Sequence, residues 1–495
     1  MLNRKQINVK KKYLPFILIV FFSFFLFFYY YQAVNYFPFG DDLIHFFNAP
    51  HNLEEIKKLF LDFNQFRFLT KSIFFIYYLL PISHNFFFWH LPSFLLMTFF
   101  LLGLFWVLMT IFHFRKKLAV LLALIFAINH CNFYLIFTLA GIGDLLMLNF
   151  LIYGWLSWDC YIKNHQKKYL GLTFLIFVLS FFTKENFLIL PILFFVHLFF
   201  FTKNKQKLLN KENLFLGLFF FLPAISFYLI KFKFFSISDP NYQYTLSVDL
   251  LLSNIKYFFA WLINYPYGWQ MGMPLPKSPI YLCLVAIYVI FLLFMIIQSF
   301  RVKKKKAFEL TLVFFCSLLP FYFLNRVLVY YLNLPYLFFL ILLFLGLSEK
   351  HKKFPCLTLL KISPRFSNII SKLGLIFFIV LNFYFSFTIK KQWLEFSFVA
   401  VAEKKAQNFW FTLSNLSINQ NLNLKKICLL FSRNDSLWAI ANGDLAKLKY
   451  PAIEIYYAQN EKTLKAQCLL LNQLNSNFES FLFLKEDGHG FSVLK

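Results

Sequence analysis

Residues 278–325 read SPIYLCLVAIYVIFLLFMIIQSFRVKKKKAFELTLVFFCSLLPFYFLN. Two apolar runs, 278–299 and 307–325, flank a burst of five basic residues, Arg301 and Lys303 to Lys306. Each run has about the 20 residues that an α-helix needs to cross a hydrocarbon core of about 30 Å. A basic burst between two such runs is what the inward ends of spanning helices carry. The unit of span, burst and span recurs along the chain and decides the fold class: an all-α polytopic membrane protein.

The same reading predicts eleven spans, at 14–34, 89–112, 118–138, 144–162, 169–183, 187–202, 213–233, 278–299, 307–325, 327–347 and 373–390. The run at 14–34 is too long for a signal-peptide core and lacks a small-residue cleavage site, so it is read as a retained first span. With the N-terminus inside, the inward segments are 1–12, 113–117, 163–168, 203–212, 300–306 and 349–372. They hold 26 of the 49 Lys and Arg residues and only two acids, Glu212 and Glu349. Most of the net charge of +27 is therefore a topology signal. Lys231 and Lys233 fall at an outward helix end, where such side chains snorkel to the interface.

Composition excludes the main rivals. Charged residues make up 14% and apolar residues 60%, whereas a soluble domain carries about 25% charge. Disorder needs low hydrophobicity. Nucleic-acid binders gather basic residues on one polar face, and here they come in bursts between apolar runs, so no nucleic-acid partner is expected. The 77 Phe residues read as a lipid-tolerant composition.

Two domains follow. Residues 1–392 form the membrane domain, with long outward loops at 35–88 and 234–277; an apolar-periodic stretch at 247–264 suits a helix lying on the membrane surface. Residues 393–495 are more polar. Short apolar runs, Ile427–Phe431, Ile453–Tyr457 and Phe481–Leu484, alternate with helical patterns near 436–448 and 461–474, which predicts a small α/β domain. An odd number of spans puts it outside. Cys428 and Cys468 share this domain and could either pair or remain buried thiols.

The chemistry is sought among the few outward charges. Phe37-Pro38-Phe39-Gly40-Asp41-Asp42 follows the first span directly. Adjacent carboxylates push one pKa up and can divide the roles of base and support, or hold a divalent cation; the plain alternative is a turn or helix cap. Arg67, in Phe66-Arg67-Phe68-Leu69-Thr70, can grip a phosphate or merely anchor at the interface. His90 opens the second span, and a satisfied helix-end role competes with substrate binding. Asp144 follows Ala140-Gly141-Ile142-Gly143 at an outer helix end, where capping competes with function. Lys184-Glu185 occupies a tight outward turn, and Arg326 stands with Tyr330 and Tyr331 one turn further on. Ionisable groups so tightly flanked by apolar sequence are functional candidates, with an ion pair as the plain reading.

These residues together resemble the GT-C membrane glycosyltransferases, which use polyprenyl-phosphate-linked sugars. The likeness is to the protein O-mannosyltransferase branch and its bacterial relatives that transfer aminoarabinose to lipid A. It rests on Asp41-Asp42 with Asn48, Phe66-Arg67-Phe68-Leu69-Thr70, Trp89-His90, Gly141-Ile142-Gly143-Asp144-Leu145-Leu146, Phe182-Thr183-Lys184-Glu185 with Leu190-Pro191, and Asn325-Arg326 with Tyr330, Tyr331 and Pro335. It covers roughly residues 14–347. Departures are Phe68 where relatives often have Pro, Cys131 after His130 where they often have Pro, and Ile142 where they often have Arg.

The resemblance implies Asp41 as general base, with Asp42 supporting it or contacting the acceptor, and Arg67, Lys184 and Arg326 as ligands of the donor phosphate. It implies His90, Asp144, Glu185 and Tyr330 as substrate-binding residues. The donor would be a polyprenyl-phosphate sugar. The acceptor would be a protein, lipid or glycan, and the setting the outer face of a bacterial cytoplasmic membrane. The competing reading is a polytopic transporter or a flippase of lipid-linked glycans. Against it stand the charges at helix ends and the lack of a two-fold repeat, where secondary transporters place charge at mid-membrane between repeated halves.

Overall fold

The structure is a computed structural model. It describes residues 4–47, 50, 52–61, 67–79, 86–201, 211–234, 244–266, 278–347, 364–420, 426–431, 434–448, 453–459, 463–464, 481–486 and 491–493. Helix α1 (Arg4–Tyr29) is followed by three short helices, α2 (Asp41–Phe47), α3 (Leu53–Leu61) and α4 (Phe68–Leu79). The loop expected at 35–88 is therefore largely helical. Next come α5 (Phe86–Thr110), α6 (Lys116–Ile128), α7 (Phe133–Phe137), α8 (Ile142–Asn164), α9 (Lys167–Phe181), α10 (Ile189–Phe201) and α11 (Lys211–Phe234). Then follow α12 (Val248–Leu262), α13 (Pro279–Tyr322), α14 (Asn333–Phe344) and α15 (Pro364–Phe396).

Five helical segments are long and apolar enough to cross a membrane, and the bent pair α6 and α7, which turns by 60°, makes a sixth. Tyr13–Tyr29, Asn186–Phe200 and Phe215–Ser226 are apolar but shorter. Eleven crossings are thus not reproduced as a count among the described residues. At 278–325 the two apolar runs lie on either side of a kink at Lys303, the non-helical position within the 44 residues of α13. A straight helix of that length would run about 66 Å, twice a hydrocarbon core; the break at Lys303 divides it into two lengths that each suit one crossing.

Burial sorts the helices. Every residue of α14 is buried, as expected of a helix that is apolar all round. The best window of α13 is only 28% buried, and Ile280, Ile290 and Leu293 project outward. Helix α12 buries Asn254, Phe258, Trp261 and Leu262 while exposing Val248, Leu252 and Phe259. The Asn254 amide donates to the Tyr322 and Leu324 carbonyls at 3.0 and 2.9 Å and so satisfies the open end of α13.

Three basic segments meet at one end of the bundle. Lys163 donates to the Thr110 carbonyl at 3.2 Å, Lys303 to that of Phe112 at 3.3 Å, and Lys306 to that of Ile111. Cations at the carbonyls ending a helix, here α5, are favourable. Helix α8 leads away from this end. Its 23 residues rise about 34 Å, so its first turn, with Asp144, lies at the opposite end.

The C-terminal region is α/β, as its alternation predicts. Helix α16 (Phe398–Gln420) precedes β1 (Lys426–Leu430), α17 (Asn434–Ala439), β2 (Glu454–Ala458), β3 (Phe481–Glu486) and β4 (Phe491–Val493). The sheet order is β2-β1-β3-β4, with β1 parallel to both neighbours and β4 antiparallel to β3. Ile427 and Leu429 join the main core, while Cys428 and Leu430 pack in a second cluster. This period-2 division buries a central parallel strand on both faces. Cys428 is disulfide-bonded. The helical pattern expected at 461–474, and Cys468 within it, lie mostly or wholly outside the described residues. Helix α15 continues to Phe396, past the boundary expected at 392.

Candidate active site

Asp41 and Asp42 open α2 after Gly40, whose φ of 45° lies in the left-handed region. The two acids point into different surroundings. Asp42 is buried, and its Oδ1 accepts the Ala140 N–H at 2.9 Å. It thereby caps the turn Leu139–Gly141 that leads into α8. Its Oδ2 is buried without a hydrogen-bond partner among the described residues. Burial pushes the Asp42 carboxyl up to about 8, with the Asp41 charge adding to the shift and the Ala140 N–H opposing it. At neutral pH Asp42 is mostly protonated. Asp41 is half-buried, and its Oδ1 accepts the indole N–H of Trp438 at 3.1 Å.

From Ala140 the chain continues to Asp144, buried in the first turn of α8. Its Oδ2 pairs with Lys184 Nζ at 2.6 Å. The Lys184 ammonium lies 5.0 Å from the Tyr330 ring centre and 6.0 Å from that of Tyr331. Tyr330 stacks on Tyr134, with ring centres 4.3 Å apart. The expected Asp144, Lys184 and Tyr330 therefore form one cluster, in which an ion pair and cation–π contacts hold the ammonium. An ammonium has three donors, so pairing with Asp144 leaves capacity for a second anion.

Arg67 immediately precedes α4, which is fastened to the turn carrying Lys184. The Leu69 N–H donates to the Phe182 carbonyl at 3.0 Å, and the Thr70 hydroxyl to that of Thr183 at 3.3 Å. Gly143 faces Thr70, where a Cβ would come within 3.1 Å of the hydroxyl. On the other side, Arg326 lies 6.0 Å from the Phe398 ring centre, Phe398 meets Trp438 at 6.4 Å, and Trp438 bonds Asp41. His90 is buried with Nδ1 3.1 Å from the Ile136 carbonyl and Nε2 3.2 Å from that of Tyr36; both ring nitrogens face backbone carbonyls, and a neutral ring donates to one of them. The backbone at Glu185 begins a short 3-10 turn; its side chain lies outside what is described.

The site also gathers residues that sequence reading did not single out. Trp438 comes from α17, 397 positions after Asp41. It packs so closely on Gly40 that a Cβ there would stand 2.6 Å from the indole, and the Gly40 N–H donates to the Ala439 carbonyl at 2.9 Å. Glu403 of α16 accepts the Phe37 N–H at 3.2 Å, and burial raises its carboxyl to about 7. Toward the basic end, His197 Nδ1 stands 2.7 Å from Glu309 and its Nε2 3.4 Å from Asp159. Lys163 in turn pairs with Asp159 at 2.6 Å. No local motif marks this group, because its members come from α8, α10 and α13.

Among the described residues, no group of three or more His, Cys, Asp or Glu side chains is arranged to hold a metal ion. Asp42 spends one oxygen on a backbone N–H and Asp41 one on Trp438. No protein-family model matches this chain, and no curated protein sequence matches it.

Proposed function

We propose that the chain is an inverting membrane glycosyltransferase that takes a sugar from a polyprenyl-phosphate donor, with Asp41 as general base. One observation carries this reading: two groups, Asp144–Lys184–Tyr330 and Asp41–Trp438–Phe398–Arg326, lie at the end of the bundle opposite the basic segments, and Asp42 bonds the turn that leads to Asp144. A base and cations at one end of the bundle suit sugar transfer from a lipid phosphate. The acceptor hydroxyl gives its proton to Asp41 while its oxygen bonds the anomeric carbon from the face opposite the leaving group. The bond from that carbon to the phosphate oxygen breaks, and its electrons stay on the lipid phosphate. Arg67, Lys184 and Arg326 are the proposed groups that stabilise this developing charge. Buried Asp42 supports the loop and does not meet the acceptor.

The same reading sets the orientation. Basic segments face the cytoplasm of a bacterial cell, and the site and the α/β region face outward. The disulfide at Cys428 favours an oxidising compartment for that region. The acceptor is a protein, lipid or glycan. Transport or flipping is the second reading, favoured by the buried Asp159–His197–Glu309 group, since ionisable residues inside a membrane bundle are typical of transport pathways. Transfer from a radiolabelled polyprenyl-phosphate sugar, compared between the parent and Asp41→Asn, tests the proposal. Loss of transfer with normal folding is expected; full activity of Asp41→Asn would falsify it.

A further inference from the structure

A cavity of about 500 Å³ is lined by none of the site residues above. It lies between the end of α1 and the last turns of α15, and its wall includes Tyr29, Tyr31, Phe387, Lys390, Lys391 and Lys404. Residues 31–40 lead directly from this wall to Asp41, so the cavity opens at the same end of the bundle as the site.

Three features of this wall point to one kind of occupant. The first is charge. Lys390 is only 5% exposed. It donates to the Tyr29 carbonyl, and its ammonium lies 4.4 Å from the Tyr29 ring centre and 5.6 Å from that of Tyr30. No carboxylate pairs with it among the described residues. A buried cation held only by a carbonyl and aromatic faces wants an anion. Lys391 and Lys404 are exposed on the same wall, and Glu395 is the one acid there, so the wall is net cationic.

The second feature is the apolar surface running away from the cavity along both helices. On α1, Phe21, Phe24 and Phe28 are exposed, and on α15, Val380, Tyr384 and Phe387. The third is Gln32, whose buried Oε1 has no hydrogen-bond partner among the described residues and can accept from a headgroup hydroxyl. Cationic head, hydroxyl acceptor and apolar track together match an amphiphile, with the phosphate at Lys390 and the acyl chains on the α1 and α15 faces.

We infer that the cleft between α1 and α15 binds an anionic phospholipid of the surrounding membrane, its phosphate held by Lys390, Lys391 and Lys404. This site is separate from the proposed donor-phosphate residues, and it stands whether or not the chain transfers sugar.

The test uses the full-length protein in neutral detergent, titrated with phosphatidylglycerol, phosphatidylcholine and inorganic phosphate, with bound lipid counted by native mass spectrometry. One saturable phosphatidylglycerol site is expected, with no saturable phosphatidylcholine binding and no competition from millimolar phosphate. Lys391→Glu/Lys404→Glu should weaken phosphatidylglycerol by at least about tenfold, since each basic group near an anionic lipid contributes roughly 1 kcal/mol. These two side chains are exposed, so the double variant keeps the test valid if Lys390→Met does not fold. Phosphatidylglycerol bound equally by parent and double variant, or no better than phosphatidylcholine, overturns the inference. Displacement by phosphate alone overturns its lipid source.

Discussion

The indole N–H of Trp438 donates to the Asp41 carboxylate at 3.1 Å. This bond joins the C-terminal α/β region to the acid proposed as general base, so that region is part of the site and not an appendage beside it. Trp438→Phe keeps an aromatic ring against Gly40 and Phe39 but removes the donor. A base that loses its orienting partner samples unproductive geometries. The expected result is a fall of about tenfold in kcat, about 1.4 kcal/mol of activation free energy, with KM and melting temperature little changed. Steady-state transfer kinetics on the two proteins check this; an unchanged kcat removes Trp438 from the machinery.

Gly40 tests the same junction from the backbone. Its φ of 45° is strained for any residue with a Cβ, and that Cβ would stand 2.6 Å from the Trp438 ring. Overpacking costs roughly 1–3 kcal/mol, and the left-handed backbone adds about 1–2 kcal/mol. Gly40→Ala should therefore destabilise by several degrees in Tm, or separate Trp438 from Asp41. A thermal melt read alongside Trp fluorescence distinguishes the two, and a variant that matches the parent in both measurements refutes the close fit.

How much of this was legible depended on the range of each contact. The start of α2 at Asp41-Asp42, the surface helix at 247–264 and the strands at 427, 453 and 481 follow local periodicity, and each is found within a residue or two. The division between 278–299 and 307–325 reappears as the kink at Lys303, but the contacts of Lys303 and Lys306 with the carbonyls of α5 were hidden, because a sequence does not show what a basic burst meets. The Asp144–Lys184 pair was legible only as two candidates, since nothing in a sequence fixes a partner 40 positions away. Trp438 was invisible for the same reason at ten times the separation, and the Asp159–His197–Glu309 group likewise.

The burial of Asp42 gives it a pH behaviour that can be measured. Asp42 titrates near 8 in the folded protein, against an ordinary value of 3.8. The folded state holds a proton there that the unfolded chain has already released. The stability this confers is complete below about pH 4 and is lost as pH rises toward 8. Asp42→Asn imitates the protonated acid and can still accept the Ala140 N–H. Its Tm relative to the parent should therefore improve between pH 6 and pH 9, while transfer at pH 7 stays within a few-fold. If Asp42 were instead the base, Asp42→Asn would be inactive, and parent activity would climb as pH passes 8. A pH series of melts and rates on both proteins decides between these outcomes.

Lys184 and Asp144 form a pair whose removal should be felt unevenly. Asp144 is 2% exposed and Lys184 14%, so Lys184→Ala strands a buried carboxylate, a loss of roughly 3–5 kcal/mol where one partner of a buried pair is removed. Asp144→Asn relieves that charge, and the double variant Asp144→Asn/Lys184→Ala should recover roughly 1–3 kcal/mol relative to the sum of the single changes. Transfer should not recover with it, because the proposed role of Lys184 is to hold the departing phosphate with its ammonium beside Tyr330. Denaturation of the three variants measures the coupling, and transfer rates measure the chemistry. Stability and transfer restored together would make the pair structural only. Stability restored without transfer is the expected split, and it separates the fold-holding role of the ion pair from the charge that the reaction needs.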